Sequence, residues 1–218
     1  MKPFTHVRST PPPDRLRPLV EAARLKLRAI APEHIATNSG ATLDEMRNLH
    51  VGFLWREYLI TADALTVQRA DTHEEPSDFI QSIILTYLAT ADGTPPSDRW
   101  ISFRDLPEGI FYERAFQGYS GGALIRQLRD DIGTFRHLAH NLHGEPLDLG
   151  DAGFAFRVLP RLRLAIAAWA GDEDFPAQAR VLFEDTAPHY LSTEGLAILG
   201  SQLIGQILTA AQRESEHD

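Results

Sequence analysis

In the C-terminal third of the chain two apolar runs, Phe154-Ala155-Phe156-Arg157-Val158-Leu159 and Leu162-Arg163-Leu164-Ala165-Ile166-Ala167-Ala168-Trp169, are separated only by Pro160-Arg161. The longest strictly apolar stretch of the chain, Leu164 to Ala170, falls far short of the roughly 20 residues a membrane-spanning helix needs. The two runs therefore read as a strand pair around a tight turn. A strand pair this apolar requires cover, and amphipathic patterns elsewhere in the chain supply it as helices.

From Arg15, residues Leu16, Leu19, Val20, Ala23, Leu27 and Ile30 recur at helical spacing, with Pro32 closing the run. Asn38-Ser39-Gly40 is a turn signal, followed by Leu49, Val51, Phe53 and Trp55 alternating with His50, Gly52 and Leu54. Tyr58-Leu59-Ile60 and Ala64 to Val67, separated by Ala62-Asp63, complete a small antiparallel meander. Pro76-Ser77-Asp78 caps a helix whose stripe is Phe79, Ile80, Ile83, Ile84, Tyr87 and Leu88, ending near Asp92-Gly93. Thr94 to Gly109 holds Trp100 to Arg104 as a loop or isolated strand. Gly121 to Leu142 gives two helical segments broken near Gly133, with Gly144 as the left-handed residue ending the second. Ala179 to Phe183 is another strand, and the last helix begins near Thr193 with Leu196, Leu199, Leu203, Ile204, Ile207 and Leu208 on one face. That stripe is either core or the face of a dimer.

No internal repeat and no long linker divides the chain. The expectation is a single α+β domain over residues 14–212, a mostly antiparallel sheet covered by helices on one side. Strands from the middle and from the C-terminal third would share that sheet. Residues 1–13 are expected to form a flexible lead and residues 213–218 a frayed tail.

Lys plus Arg is 21 and Asp plus Glu is 30, a formal charge of −9. This argues against a nucleic-acid partner, which needs a concentrated basic face. With no cysteine, the chain itself holds no disulfide, thiolate zinc site, cysteine nucleophile or cysteine-ligated iron–sulfur cluster. Met1 to Pro13 contains four prolines and no apolar h-region, so no secretory signal is read there; cytoplasm is the expected compartment and no membrane partner is expected. The GxSxG, HExxH and protein-kinase signatures are missing.

Several stretches resemble one family. They are Gly150-Asp151-Ala152, Leu159-Pro160-Arg161, Trp169 to Pro176, Val181-Leu182-Phe183, and His189-Tyr190-Leu191 through Thr193-Glu194. Upstream, Tyr87-Leu88, Trp100 to Pro107 and Gly109 to Phe116 join them. In order and spacing they are similar to the Domain of Unknown Function 3786 family across most of residues 40–210. That family carries no activity to transfer. The resemblance implies at most an association with tetrapyrrole or corrinoid chemistry, and this chain lacks the cysteine-rich iron–sulfur segment that longer relatives bear.

Five groups carry polar chemistry. His137 and His140, with His143 beyond, lie three residues apart; on a helix such neighbours sit about 60° apart and can share a metal ion, or simply form a solvated face. Asp172-Glu173-Asp174 clusters carboxylates after a strand, as a cation or acid–base site or as a turn capping its own amides. His189-Tyr190 precedes the last helix as base or axial ligand, or as core packing with a satisfied tip. Trp100, Phe103, Arg104 and Tyr112 form an aromatic-plus-guanidinium group that stacks a planar ligand or lids a core. Gly118 to Gly122 has the composition of an anion cradle without its lysine, and reads as a turn.

The leading expectation is a cofactor- or ligand-binding accessory domain. Trp100, Arg104, Tyr112, Asp172, Glu173, His189 and Tyr190 would line one cleft, since sites gather on loops. The alternatives are a metal-dependent hydrolase or lyase using His137, His140 or the 172–174 acids, and a non-catalytic interaction domain.

Overall fold

Pro32 opens a helix as well as closing one. The computed structural model describes residues 13–128 and 131–215; the expected lead up to Pro12 and residues 216–218 of the expected tail lie outside them. Helix α1 (Pro13–Leu27) buries Leu16, Val20, Ala23 and Leu27. The next helix, α2 (Pro32–Ser39), was not expected. Proline suits a first helical position because it has no N–H to lose and its φ is already helical. The Asn38-Ser39-Gly40 turn is the end of α2: Gly40 takes φ 74 and donates its N–H to the Ala36 carbonyl.

Four antiparallel strands follow in the order β1-β2-β3-β4: β1 (Thr42–Leu43), β2 (Leu49–Phe53), β3 (Arg56–Ile60) and β4 (Val67–Arg69). Alternation puts Leu49, Val51, Phe53, Tyr58, Ile60 and Val67 on the buried face. The meander is present, with two shifts. Leu54, at φ 48, and Trp55 form the β2–β3 turn instead of extending the strand, and Leu65, at φ 54, delays the last strand to Val67.

Helix α3 (Asp78–Thr90) buries Phe79, Ile83, Ile84, Tyr87 and Leu88 as expected, although the Ser77 hydroxyl makes no capping bond. Then come β5 (Trp100–Ser102), two short 3-10 turns, and α4 (Glu113–Tyr119), a helix that was not expected. The pattern over 121–142 divides into α5 (Gly121–Leu128) and α6 (Ile132–Asn141). Asp131, not Gly133, marks the start of α6, its carboxylate accepting the Thr134 N–H. At the end of α6 the left-handed residue is His143, φ 55, one position before Gly144. Gly144 donates to the Ala139 carbonyl at 2.8 Å and His143 to that of His140 at 2.9 Å, the paired bonds of a Schellman end. Gly144 is needed for closeness: a Cβ there would come within 2.9 Å of the Phe156 ring.

The remaining strands are β6 (Glu145–Leu147), β7 (Ala152–Leu159), β8 (Leu162–Trp169) and β9 (Gln178–Glu184), and α7 (Thr193–Ser215) completes the described chain. They form a second antiparallel sheet, β5-β9-β8-β7-β6. Pro160-Arg161 joins β7 to β8 as expected, and β5 pairs with β9, so it is not isolated.

The fold is α+β in one domain. The sheet expected to be shared is two sheets, and only β5 crosses from the middle of the chain to the C-terminal one. The sheets meet where the β2–β3 turn abuts β7, the Leu54 N–H donating to the Val158 carbonyl at 2.9 Å. Leu164 to Ala168 are all buried, so the central strand is covered on both faces. Along α7, Leu196, Leu199, Leu203, Ile204 and Ile207 are buried within the chain. The stripe is core, not a free dimer face.

Candidate functional site

The turn chemistry between β5 and α4 builds one wall of a pocket. Asp105 accepts from both the N–H and the hydroxyl of Ser102, at 3.1 and 2.6 Å, fixing the first 3-10 turn. Gly109 lets the second turn fold against the first, since a Cβ there would sit 1.9 Å from the Phe103 carbonyl oxygen. Glu108, just before it, adopts a left-handed φ of 60, uncommon for a residue with a side chain. Ile110, Phe111 and Tyr112 follow on the surface, 58%, 81% and 64% exposed.

The first turns of α7 form the opposite wall, tied across by the Thr193 hydroxyl donating to the Pro107 carbonyl at 2.7 Å. Between the walls lies a pocket of about 510 Å³. Phe103, Tyr112 and Tyr119 line one side, Ala197 and Ile198 the other, and the exposed residues Glu108 and Glu194 border it, one from each side. Behind this lining the Phe103 ring stacks on Phe116 with centroids 4.2 Å apart, and Phe116 meets Tyr119 edge-on at 5.7 Å. Burial pushes the Tyr119 hydroxyl above its ordinary pKa, so it is neutral near neutral pH.

Of the residues expected to share one cleft, the pocket takes Tyr112. Trp100 on β5 pairs directly with Glu184 on β9 and covers an ion pair: the Arg163 guanidinium lies 5.6 Å from the indole centroid and bonds the fully buried Glu184 at 2.5 Å. Asp98 also accepts from Arg163. Arg104 is exposed on the first 3-10 turn and does not line the pocket.

Asp172 and Glu173 lie in the β8–β9 connection, beyond the other end of β9 from Trp100. The length of that strand sets them about 20 Å apart along it. Asp172 accepts the N–H groups of Asp174 and Phe175 at 2.9 and 2.7 Å, the turn reading of this acidic stretch. Asp172 also borders a shallower cleft of about 480 Å³ with Asp151, Trp169 and Arg180.

His189 and Tyr190 occupy a third place. His189 Nδ1 is 2.7 Å from Asp92 Oδ2, and bonds from the Thr94 side chain and then from His189 hold the Asp92 carboxyl down at about 2. Tyr190 is fully buried, stacked on Tyr87 at 5.7 Å, with its hydroxyl donating to the Thr94 carbonyl. The single shared cleft is thus replaced by separate locations, because β9 spaces its two ends and the Tyr190 tip is consumed inside the fold.

His137 and His140 do not converge. His137 contacts Asn141 and Glu214, whereas His140 packs edge-on against Phe154 at 5.0 Å. Among the described residues no three His, Asp or Glu side chains are grouped as a metal ion requires. The Gly118–Gly122 stretch is the α4–α5 junction, where Gly121 packs so closely on β9 that a Cβ would lie 1.9 Å from the Ala179 carbonyl oxygen. Glu108 was missed by the sequence reading. Its only signal was the Pro107-Glu108-Gly109 turn composition, which says that the chain bends but not what the bend faces.

Fold and pocket together define an α+β protein with two antiparallel sheets and a ligand-sized cavity between a turn-rich connection and a C-terminal helix. The family model described as domain of unknown function (DUF3786) matches residues 31–206, and the chain belongs to that family. The matched span includes every pocket residue. Comparison with curated proteins and with solved structures returned no match.

Proposed function

We propose that the protein is a binding domain for a small organic ligand, held between the Phe103–Tyr119 segment and the first turns of α7. One observation carries this reading: Phe103, Tyr112 and Tyr119 border, together with Ala197 and Ile198, a cavity of about 510 Å³, a size and lining typical of small-molecule sites. The association with tetrapyrrole or corrinoid chemistry that the family resemblance implies finds no histidine or methionine in this lining, where Tyr112 and Tyr119 are the side chains of a kind that ligates haem iron. The ligand proposed is held by rings and charges.

Three phenols of one size test the reading: tyramine (cationic), 4-ethylphenol (neutral) and 3-(4-hydroxyphenyl)propionate (anionic). Titrated to millimolar concentration into isotope-labelled protein, at least one shifts the amide resonances of residues 103–119 and 193–198. Ala115→Trp, placed in the pocket from an exposed position, abolishes those shifts. Silence from all three probes, or shifts mapping elsewhere, overturns the proposal.

A further inference from the structure

We infer that this pocket selects an organic cation, an amine or guanidinium carried on a flat apolar body. The inference rests on the ligand-binding reading and adds the charge of the ligand to it. Its first support is the aromatic lining. The π-faces of Phe, Tyr and Trp carry negative potential and attract a cation held over them; Tyr112 and Tyr119 border the cavity, with Phe103 buried beside them and stacked on Phe116.

The second support is the balance of charge around the cavity. Glu108 and Glu194 line it from opposite walls, and no arginine, lysine or histidine lines it. Arg104 and Arg114 lie on the same segment as the rings, but both are exposed and outside the lining. Asp105 is occupied by Ser102. At longer range the net charge of −9 favours approach of a cation over an anion.

Three groups at the start of α7 that would recognise an anion are already answered, which leaves the Tyr112 and Tyr119 hydroxyls as the donors of the lining. The N-terminus of α7 attracts negative charge, but Glu194 supplies it within that first turn. The Gly195 N–H is met by the Ser192 hydroxyl at 3.3 Å, and the Thr193 hydroxyl is spent on the Pro107 carbonyl. A carboxylate or phosphate entering here would face two glutamates with no cationic side chain to answer it.

The same three phenols separate this inference from the reading beneath it. With pocket resonances as the readout, tyramine binds about tenfold tighter than 4-ethylphenol, and the propionate binds weakest. Added salt narrows the gap between tyramine and 4-ethylphenol, as expected when the charges involved are exposed. The double variant Glu108→Gln/Glu194→Gln brings tyramine down to the affinity of 4-ethylphenol and leaves 4-ethylphenol unchanged, which also reports an intact pocket. Equal binding of the neutral and cationic probes, or tightest binding of the anion, overturns the charge inference while the pocket remains a binding site. No pocket shift from any of the three overturns both.

Discussion

Two pairs of tyrosines are used in opposite ways. Tyr87 and Tyr190 are both fully buried and stacked at 5.7 Å. The Tyr87 hydroxyl donates to the Ser39 carbonyl at 2.5 Å and accepts the Arg161 N–H at 3.0 Å, while Tyr190 donates to Thr94. Burial holds the Tyr87 hydroxyl far above its ordinary pKa. Tyr112 and Tyr119 border the pocket instead, and among the described residues no hydrogen bond of the chain uses either hydroxyl. A tyrosine whose polar tip is satisfied internally is scaffold; one whose ring borders a cavity with its tip uncommitted is available to a ligand. Tyr112 and Tyr190 look alike in sequence, and only their partners separate them.

The largest test of that contrast is Tyr190→Ala. Removing a large ring from a fully buried stack costs about 3–5 kcal/mol through lost contacts and the cavity left behind. Urea unfolding measures it, and a loss below about 1 kcal/mol would place Tyr190 outside the scaffold.

Beside the buried pair, the Asp92–His189 contact gives a smaller, pH-dependent effect. The Asp92 carboxyl is lowered from 3.8 to about 2 in the folded chain. A depressed carboxylate contributes stability that is present above its unfolded pKa and lost as pH falls through the folded one. Asp92 is half-exposed, so solvent screening keeps the contribution well under about 1 kcal/mol. Asp92→Asn is therefore less stable than the wild type at neutral pH, and the difference fades as pH drops from about 4 towards 2. Unfolding free energies across that range check it. A difference that survives below pH 2 would assign the effect to shape rather than charge.

What was legible in the sequence followed from periodicity. The β7–β8 pair, α3, the start of α7 and most of the meander are patterns of two or about 3.6 residues, which the chain carries locally. Punctuation was read less well where one residue has two uses. Pro32 stops one helix and begins another, and the αL position after α6 falls on His143 while the neighbouring glycine packs close to Phe156. The separation of the sheets rests on pairing between distant segments, β5 with β9, which no local pattern encodes. The candidate site shows the same limit. Aromatic and charged loop residues were recognisable, but whether Asp172 or Asp105 is free or engaged depends on amides a few residues away.

The smallest stability effect belongs to Tyr112→Ala. Tyr112 is 64% exposed, so truncation leaves little cavity and exposes no buried polar partner. Stability should change by no more than about 0.5 kcal/mol, equivalent to about 1–2 °C in melting temperature for a chain of this size. The same change removes one ring from the pocket, and probe affinity should fall several-fold, in line with about 0.5–1.5 kcal/mol for an aromatic pair. Melting curves and probe titrations on one preparation give both numbers. If Tyr112→Ala approaches Tyr190→Ala in its cost to folding, the two tyrosine pairs are both scaffold and the contrast fails. If folding and probe affinity are both unmoved, the Tyr112 ring borders the cavity without contributing to binding, and the aromatic wall reduces to Phe103 and Tyr119.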